Sequence, residues 1–292
     1  MKYGLGLKQP GIDVAEYPSI AQAAEQRGFE SVWLPEHLLL PAELPATYPY
    51  SDSGHAPISP ETPELDPWVA LAAVAAATST VRLGTGVYIL PLRHPVATAR
   101  SVMTLDRVSR GRVTMGIGVG WMAEEFAMLG QSFDDRGART DECIEVIRLL
   151  FSDRVVEHHG AHFDLGPARF EPKPVQGAVP IEVGGTSPPA LRRAGRLGDG
   201  WIELGSANLD QVVERLAVIQ AARQAAGRAG RPFEVTCGLA AEAAADRATV
   251  ARYQAAGVTR LMVGPPRGDS RLAVEDVIEW INRFADTVID PD

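Results

Sequence analysis

The sequence predicts a closed (β/α)8 barrel, an α/β fold in which parallel strands and helices alternate. Three observations predict it. Short β-branched runs and longer helical runs follow one another repeatedly along the chain, as repeated βα units require. Eight strand–helix pairs can be counted. The GxGxxG turn that opens a dinucleotide-binding open sheet is missing after the first strand, which argues against the doubly wound rival. The length of 292 residues suits one barrel, which typically needs roughly 250. No linker-like run divides the chain, so residues 1–292 are expected to form a single domain.

The elements follow in order. Residues 3–7 read as the first strand and 14–27 as the first helix, with Gly28 as its stop. Strand two covers 31–35 and helix two 67–78. Strand three covers 81–87, helix three 96–108, strand four 112–117 and helix four 139–151. The rhythm then breaks: residues 155–158 and 162–165 flank a His-Gly-Ala turn and predict a small hairpin inserted before strand five. Strand five (181–183), helix five (188–197), strand six (200–204) and helix six (209–226) resume the barrel. Strand seven (233–239), helix seven (247–256), strand eight (260–263) and helix eight (274–284) complete it. Two loops, 38–65 and 121–137, are long for a compact domain, where such lengths mark lids or binding segments. Both follow strands, so both fall on the face where barrels keep their chemistry.

Composition narrows the function. Hydrophobic residues make up 46% and charged residues 22%, as in a soluble globular protein. A net charge of −9 excludes a general nucleic-acid binder, which needs a basic face. Cys143 and Cys237 lie far apart with no CxxC pair, so neither a zinc site nor a disulfide framework is expected and a reducing cytoplasm fits. Residues 1–8 are too short an apolar run for a secretory signal, and the alanine-rich run 67–81 is too short to span a bilayer.

Several residues stand where chemistry belongs. Glu36 and His37 end strand two. A strand's C-terminal end opens into the barrel mouth, where an imidazole can exchange a proton near neutral pH. Gly84-Thr85-Gly86-Val87 closes strand three; glycines there mark either a corner bulge or the close approach of a flat ring. Gly116, Gly118 and Gly120 end strand four, and Trp121 after them reads as a wall. Glu124 and Glu125 are expected to cap a short helix. Gly184, Gly185 and Thr186 follow strand five and lead through Ser187 into a helix. Thr186 or Ser187 can cap it, and free N–H groups at such a start would hold a phosphate, with Arg192, Arg193 and Arg196 nearby on the same helix. His94 either lines the mouth or caps helix three. His158, His159 and His162 cluster in the hairpin, where no metal is expected. Arg136, Arg139 and Glu142 are expected to form a surface ion-pair network.

An ordered set of segments resembles the luciferase-like monooxygenases. These are Gly28-Phe29-Glu30-Ser31-Val32-Trp33-Leu34-Pro35-Glu36-His37, then Val81-Arg82-Leu83-Gly84-Thr85-Gly86-Val87, Arg93-His94-Pro95 and Leu105-Asp106-Arg107-Val108-Ser109-Arg110-Gly111-Arg112. Gly116-Ile117-Gly118-Val119-Gly120-Trp121, Val183-Gly184-Gly185 and Gly198-Asp199-Gly200-Trp201 follow in the same order. Tyr48-Pro49-Tyr50-Ser51 is most similar to the deazaflavin branch. Glu36 stands where that branch often has aspartate, one methylene shorter.

The resemblance implies a (β/α)8 barrel, usually dimeric, that binds coenzyme F420 or FMN, with the ring on a strand-three bulge that carries a non-prolyl cis peptide at Gly86–Val87. It places His37 at the reacting face, helped by Glu36, and the cofactor phosphate near Gly184, Gly185 and Thr186; Gly118 completes the expected cofactor contacts. The function it implies is hydride transfer between F420 and a small organic substrate, in the cytoplasm, without nucleic acid or membrane. The alternatives are a two-component FMN monooxygenase fed by a separate reductase, and a non-catalytic flavin-binding barrel.

Overall fold

The computed structural model describes residues 1–44, 48, 54, 56, 58–203, 208–266 and 271–289. Its strands are β1 (Lys2–Gly6), β2 (Ser31–Leu34), β3 (Arg82–Thr85), β4 (Tyr88–Ile89), β5 (Val113–Gly118), β6 (Val156–His159), β7 (Asp164–Ala168), β8 (Ile181–Gly184), β9 (Gly200–Glu203), β10 (Glu234–Gly238) and β11 (Arg260–Val263). Parallel pairing runs β1-β2-β3-β5-β8-β9-β10-β11 and returns to β1, where Lys2 stands opposite Arg260. The sheet therefore closes into an eight-stranded barrel. The helices are α1 (Tyr17–Gln26), α2 (Pro67–Ala77), α3 (Pro95–Val108), α4 (Ala123–Met128), α5 (Arg136–Ser152), α6 (Pro188–Leu197), α7 (Leu209–Ala225), α8 (Ala241–Ala245), α9 (Arg247–Ala255) and α10 (Val274–Phe284).

Five of the ten helices named above, α2, α3, α6, α7 and α9, start with a side-chain cap. Asp66 accepts from the N–H groups of Trp68 and Val69 ahead of α2, Asn208 makes a capping box with Gln211 at α7, and Asp246 caps α9. Each satisfies backbone donors that a first turn leaves unpaired. The inserted hairpin is present as β6 and β7, antiparallel, with His159 opposite Asp164.

Strand three and the start of the fourth helix differ from the expectation, and strand six is described only in part. Strand three is not continuous: it stops at Thr85, passes a cis Gly86–Val87 bond and resumes as β4, which pairs with the end of β5. The loop 121–137 contains α4, and α5 begins at Arg136 rather than 139. Strand six is described only to Glu203, since Leu204 lies outside the described residues. Of Tyr48-Pro49-Tyr50-Ser51 only Tyr48 falls within them.

The bore is filled, not hollow. Trp33 is 1% exposed and lies across it. A Cβ at Gly4 would stand 2.8 Å from Trp33 Nε1, and one at Gly84 would stand 2.4 Å from Trp33 Cε3. Two strands give up their side chains so that one indole can fit, because interiors pack without voids. Beneath it, at the N-terminal end, Arg260 lies 5.0 Å from the indole and donates to Glu182, Glu30 and Thr236. Buried charges of this kind persist only when paired and hydrogen-bonded.

Candidate active site

His37 stands just past β2, and Gly86 just past β3. The two strands run in register, with Leu34 opposite Thr85, and Gly86 N–H donates to Leu34 O at 2.8 Å. The imidazole and the bulge thus share one stretch of rim. His37 is held from several sides. Its own N–H donates to Glu64 Oε2 at 3.2 Å, and Glu64 pairs with Lys8 beyond β1 at 2.7 Å. Its Nδ1 lies 2.9 Å from Glu125 Oε2, while Leu38 N–H donates to Glu125 Oε1 at 2.7 Å. Trp121 meets the imidazole edge-on at 5.9 Å between centroids, and Tyr48 meets Trp121 at 5.0 Å. The ring keeps some solvent contact, with its side chain 13% exposed, whereas the Glu125 carboxylate has none.

Glu125 is the residue that sequence reasoning missed. It does not cap α4, which has no side-chain cap. It turns inward with Phe126 instead, and both are buried. A signal was present: Met122, Glu125, Phe126 and Leu129 recur at i, i+3, i+4 and i+7, one face of a helix. A glutamate in that apolar stripe has to find a partner indoors.

Glu36 is placed differently from its neighbour. Its side chain is buried under the rim and takes both Arg93 guanidinium donors, at 2.8 and 2.7 Å, together with Ile89 N–H at 2.8 Å. The carboxylate expected to assist chemistry therefore clamps β4 and the segment after it onto β2. Its longer reach than aspartate is used on that fork.

The glycines separate into two kinds. A Cβ at Gly86 would come no nearer than 3.6 Å to another atom. A side chain there would meet Met262 and Trp33 at ordinary contact distance, with no clash. Gly118 is different: its Cβ would stand 2.6 Å from Val87 Cγ2, so the absence of a side chain there makes room for Val87. Gly116 likewise makes room for Thr85 O, which an added Cβ would approach to 1.8 Å.

The strand-five turn corrects the phosphate argument. Ser187, not Thr186, caps α6 by accepting from Ala190 N–H. The next two residues, Pro188 and Pro189, have no N–H, and Leu191 N–H donates to Ser187 O. The first turn of α6 therefore offers no free donor to an anion. The N–H groups of Gly185, Thr186 and Ser187 and the Thr186 hydroxyl are what the turn can present. Gly184 ends β8 opposite Ile202, Gly185 takes a positive φ of 116°, and its carbonyl accepts from Trp201 Nε1 at 2.8 Å. Arg193 and Arg196 both bind Asp141 of α5 and do not reach the turn.

His94 caps α3, its Nδ1 accepting from Val96 N–H. The predicted Arg136–Arg139–Glu142 network is not formed: Arg136 donates to Gly120 O and Phe133 O, Arg139 donates to Pro91 O, and Glu142 takes His158 and the N–H groups of His162 and Phe163. Among the described residues no group of three or more His, Cys, Asp or Glu could hold a metal ion. No helix among them is long and apolar enough to cross a membrane.

The family model for luciferase-like monooxygenases matches residues 2–283, and the chain belongs to that family. An uncharacterized protein of Mycobacterium tuberculosis is 34% identical over 290 residues, covering 98% of each chain. An F420-dependent hydroxymycolic acid dehydrogenase of the same organism is 34% identical over 216 residues, covering 71% of this chain and 53% of that protein. Two solved structures share the fold over 99% of this chain. One is a monooxygenase from Streptomyces bottropensis (TM-score 0.73, 23% identity, 99% of that chain). The other is an F420-dependent secondary alcohol dehydrogenase (TM-score 0.77, 19% identity, 98% of that chain).

Proposed function

We propose that this protein is a coenzyme F420-dependent oxidoreductase that moves a hydride to or from a small organic substrate. One observation carries the reading: His37 and the Gly86 bulge follow the ends of two adjacent parallel strands, tied together by the Gly86 N–H to Leu34 O bond, so both fall on one rim. Relatives named as F420-dependent dehydrogenases support the cofactor. When bound, a deazaflavin supplies a carbon centre that gives or takes two electrons as hydride.

The chain's own residues do the rest. Gly86 and Val87 would hold the flat ring, and the Gly185–Thr186–Ser187 turn would meet its phosphate. His37 would exchange the proton that accompanies hydride transfer at a substrate oxygen. Trp121 and Tyr48 form an aromatic wall over His37 that orients an apolar substrate and keeps water out.

The test is a titration with F420 and, separately, with FMN. Saturable quenching of F420 fluorescence without FMN binding supports the reading. Reduced-FMN turnover with oxygen uptake and no F420 binding overturns it in favour of a two-component monooxygenase. With F420 bound, a screen of alcohols, ketones, aldehydes and enones identifies the substrate. His37→Ala is expected to lower turnover by about 10²–10⁴-fold while leaving F420 affinity in place.

A further inference from the structure

We infer that Glu125 is the positioning residue that sets which nitrogen of His37 faces the reaction. The inference rests on the role proposed above for His37 and adds a second residue to it. The Glu125 carboxylate is fully buried, and among the described residues its two oxygens meet only Leu38 N–H, at 2.7 Å, and His37 Nδ1, at 2.9 Å. Leu38 N–H can only donate. An ionised carboxylate can only accept. With Glu125 as a carboxylate, the bond to the ring requires the proton on Nδ1, which leaves Nε2 as the free lone pair in the neutral imidazole. A carboxylate behind one ring nitrogen fixes the tautomer and orientation of the other and steadies the imidazolium when it forms.

The remaining groups around the ring do not compete for Nδ1. Glu64 takes the His37 backbone N–H and the Lys8 ammonium. Glu36 is occupied by Arg93 and Ile89. Trp121 offers the imidazole a T-shaped ring contact. The Leu38 bond also ties the carboxylate to the chain segment next to the histidine, so ring and partner are held as one unit.

The distinguishing substitution is Glu125→Gln. Its amide oxygen can still accept from Leu38, but its NH2 group can only donate to Nδ1, which drives the ring proton to Nε2. The readout is ¹⁵N NMR of the cofactor-free protein at a pH where His37 is neutral, with the signal assigned by its loss in His37→Ala. The expected result is Nδ1–H in the unsubstituted protein and Nε2–H in Glu125→Gln. Under F420 turnover the same variant should lose about 10²-fold or more in kcat, with KM little changed and the pH profile of kcat altered. Glu125→Asp, which keeps a carboxylate, should keep the Nδ1–H tautomer and recover part of the rate. A neutral His37 with its proton on Nε2 in the unsubstituted protein overturns the inference, and that measurement needs no variant to fold. An unaltered tautomer and pH profile in a folded Glu125→Gln also overturns it. If the tautomer is as expected but F420 does not bind, the cofactor reading fails and the placement of the proton stands.

Discussion

Glu36 and Arg93 meet through two parallel N–H···O bonds of 2.8 and 2.7 Å, and the same carboxylate takes the Ile89 N–H. The pair joins the end of strand two to the chain that resumes after the strand-three bulge, so it holds both sides of the candidate site in register. Removing one member of such a buried pair leaves an uncompensated charge, at a cost of about 3–5 kcal/mol. Arg93→Ala should therefore lower unfolding free energy in urea by about that amount. Arg93→Lys keeps the charge but loses the planar fork and should fall between. Equal midpoints for all three proteins would show that the clamp is dispensable.

The glycines give a sharper contrast. Gly86→Ala places a methyl group at ordinary van der Waals distance, 3.6 Å from Met262 Cε and 3.7 Å from Trp33 Cε3, and should leave stability within about 1 kcal/mol. It should still weaken F420 binding about tenfold or more, a loss of about 1.4 kcal/mol, because the ring would no longer reach bare main chain. Gly116→Ala places its methyl 1.8 Å from Thr85 O and should cost about 3 kcal/mol or more through overpacking. Calorimetry and fluorescence titration of the two variants side by side separate rim from wall; loss of folding in Gly86→Ala would remove the distinction.

At the opposite end of the bore, Arg260 is the partner of Glu182, Glu30 and Thr236. Arg260→Met should destabilise the fold by about 3–5 kcal/mol, since Glu182 would be buried with no cation beside it. Adding Glu182→Leu to that change should recover much of the loss, because an apolar pair of similar volume avoids the desolvation of two charges. A double-mutant cycle in denaturant measures the coupling, and additive losses would count against it.

Acid stability should depend on Glu25. Burial pushes its carboxyl up, but the N–H groups of Thr80, Val81 and Ser79 and the Thr80 hydroxyl outweigh that and bring it down from 4.5 to about 2. The folded value lies below the unfolded one, so the contribution is fully present above the unfolded value of 4.5 and is lost as pH falls toward 2. Because the group is only partly buried, solvent screening trims the contribution to about 1–2 kcal/mol. Glu25→Ala should be less stable by that amount at neutral pH, with the gap closing between pH 4.5 and 2. A gap that stays constant across this range would assign the effect to packing.

The barrel and the places of His37 and Gly86 were legible because they depend on spacing along the chain. Alternating strands and helices set which residues fall at strand ends, and strand ends gather at one rim. Partners across the rim were not legible in the same way. Glu125 lies 88 residues from His37 and Glu36 lies 57 from Arg93, and only the closure of the barrel brings them together. The first turn of α6 lacks the free donors expected of it for a local reason that the sequence contains. Two prolines at the start of α6 pre-set helical φ angles but have no N–H to donate, so the residues that make a good helix start make a poor anion cup.

Trp33 stoppers the shaft next to Gly84 and Gly86. If the reaction proposed above takes place at Gly86, its cofactor and its substrate have to share the space on the rim side of the indole, so the size of one limits the size of the other.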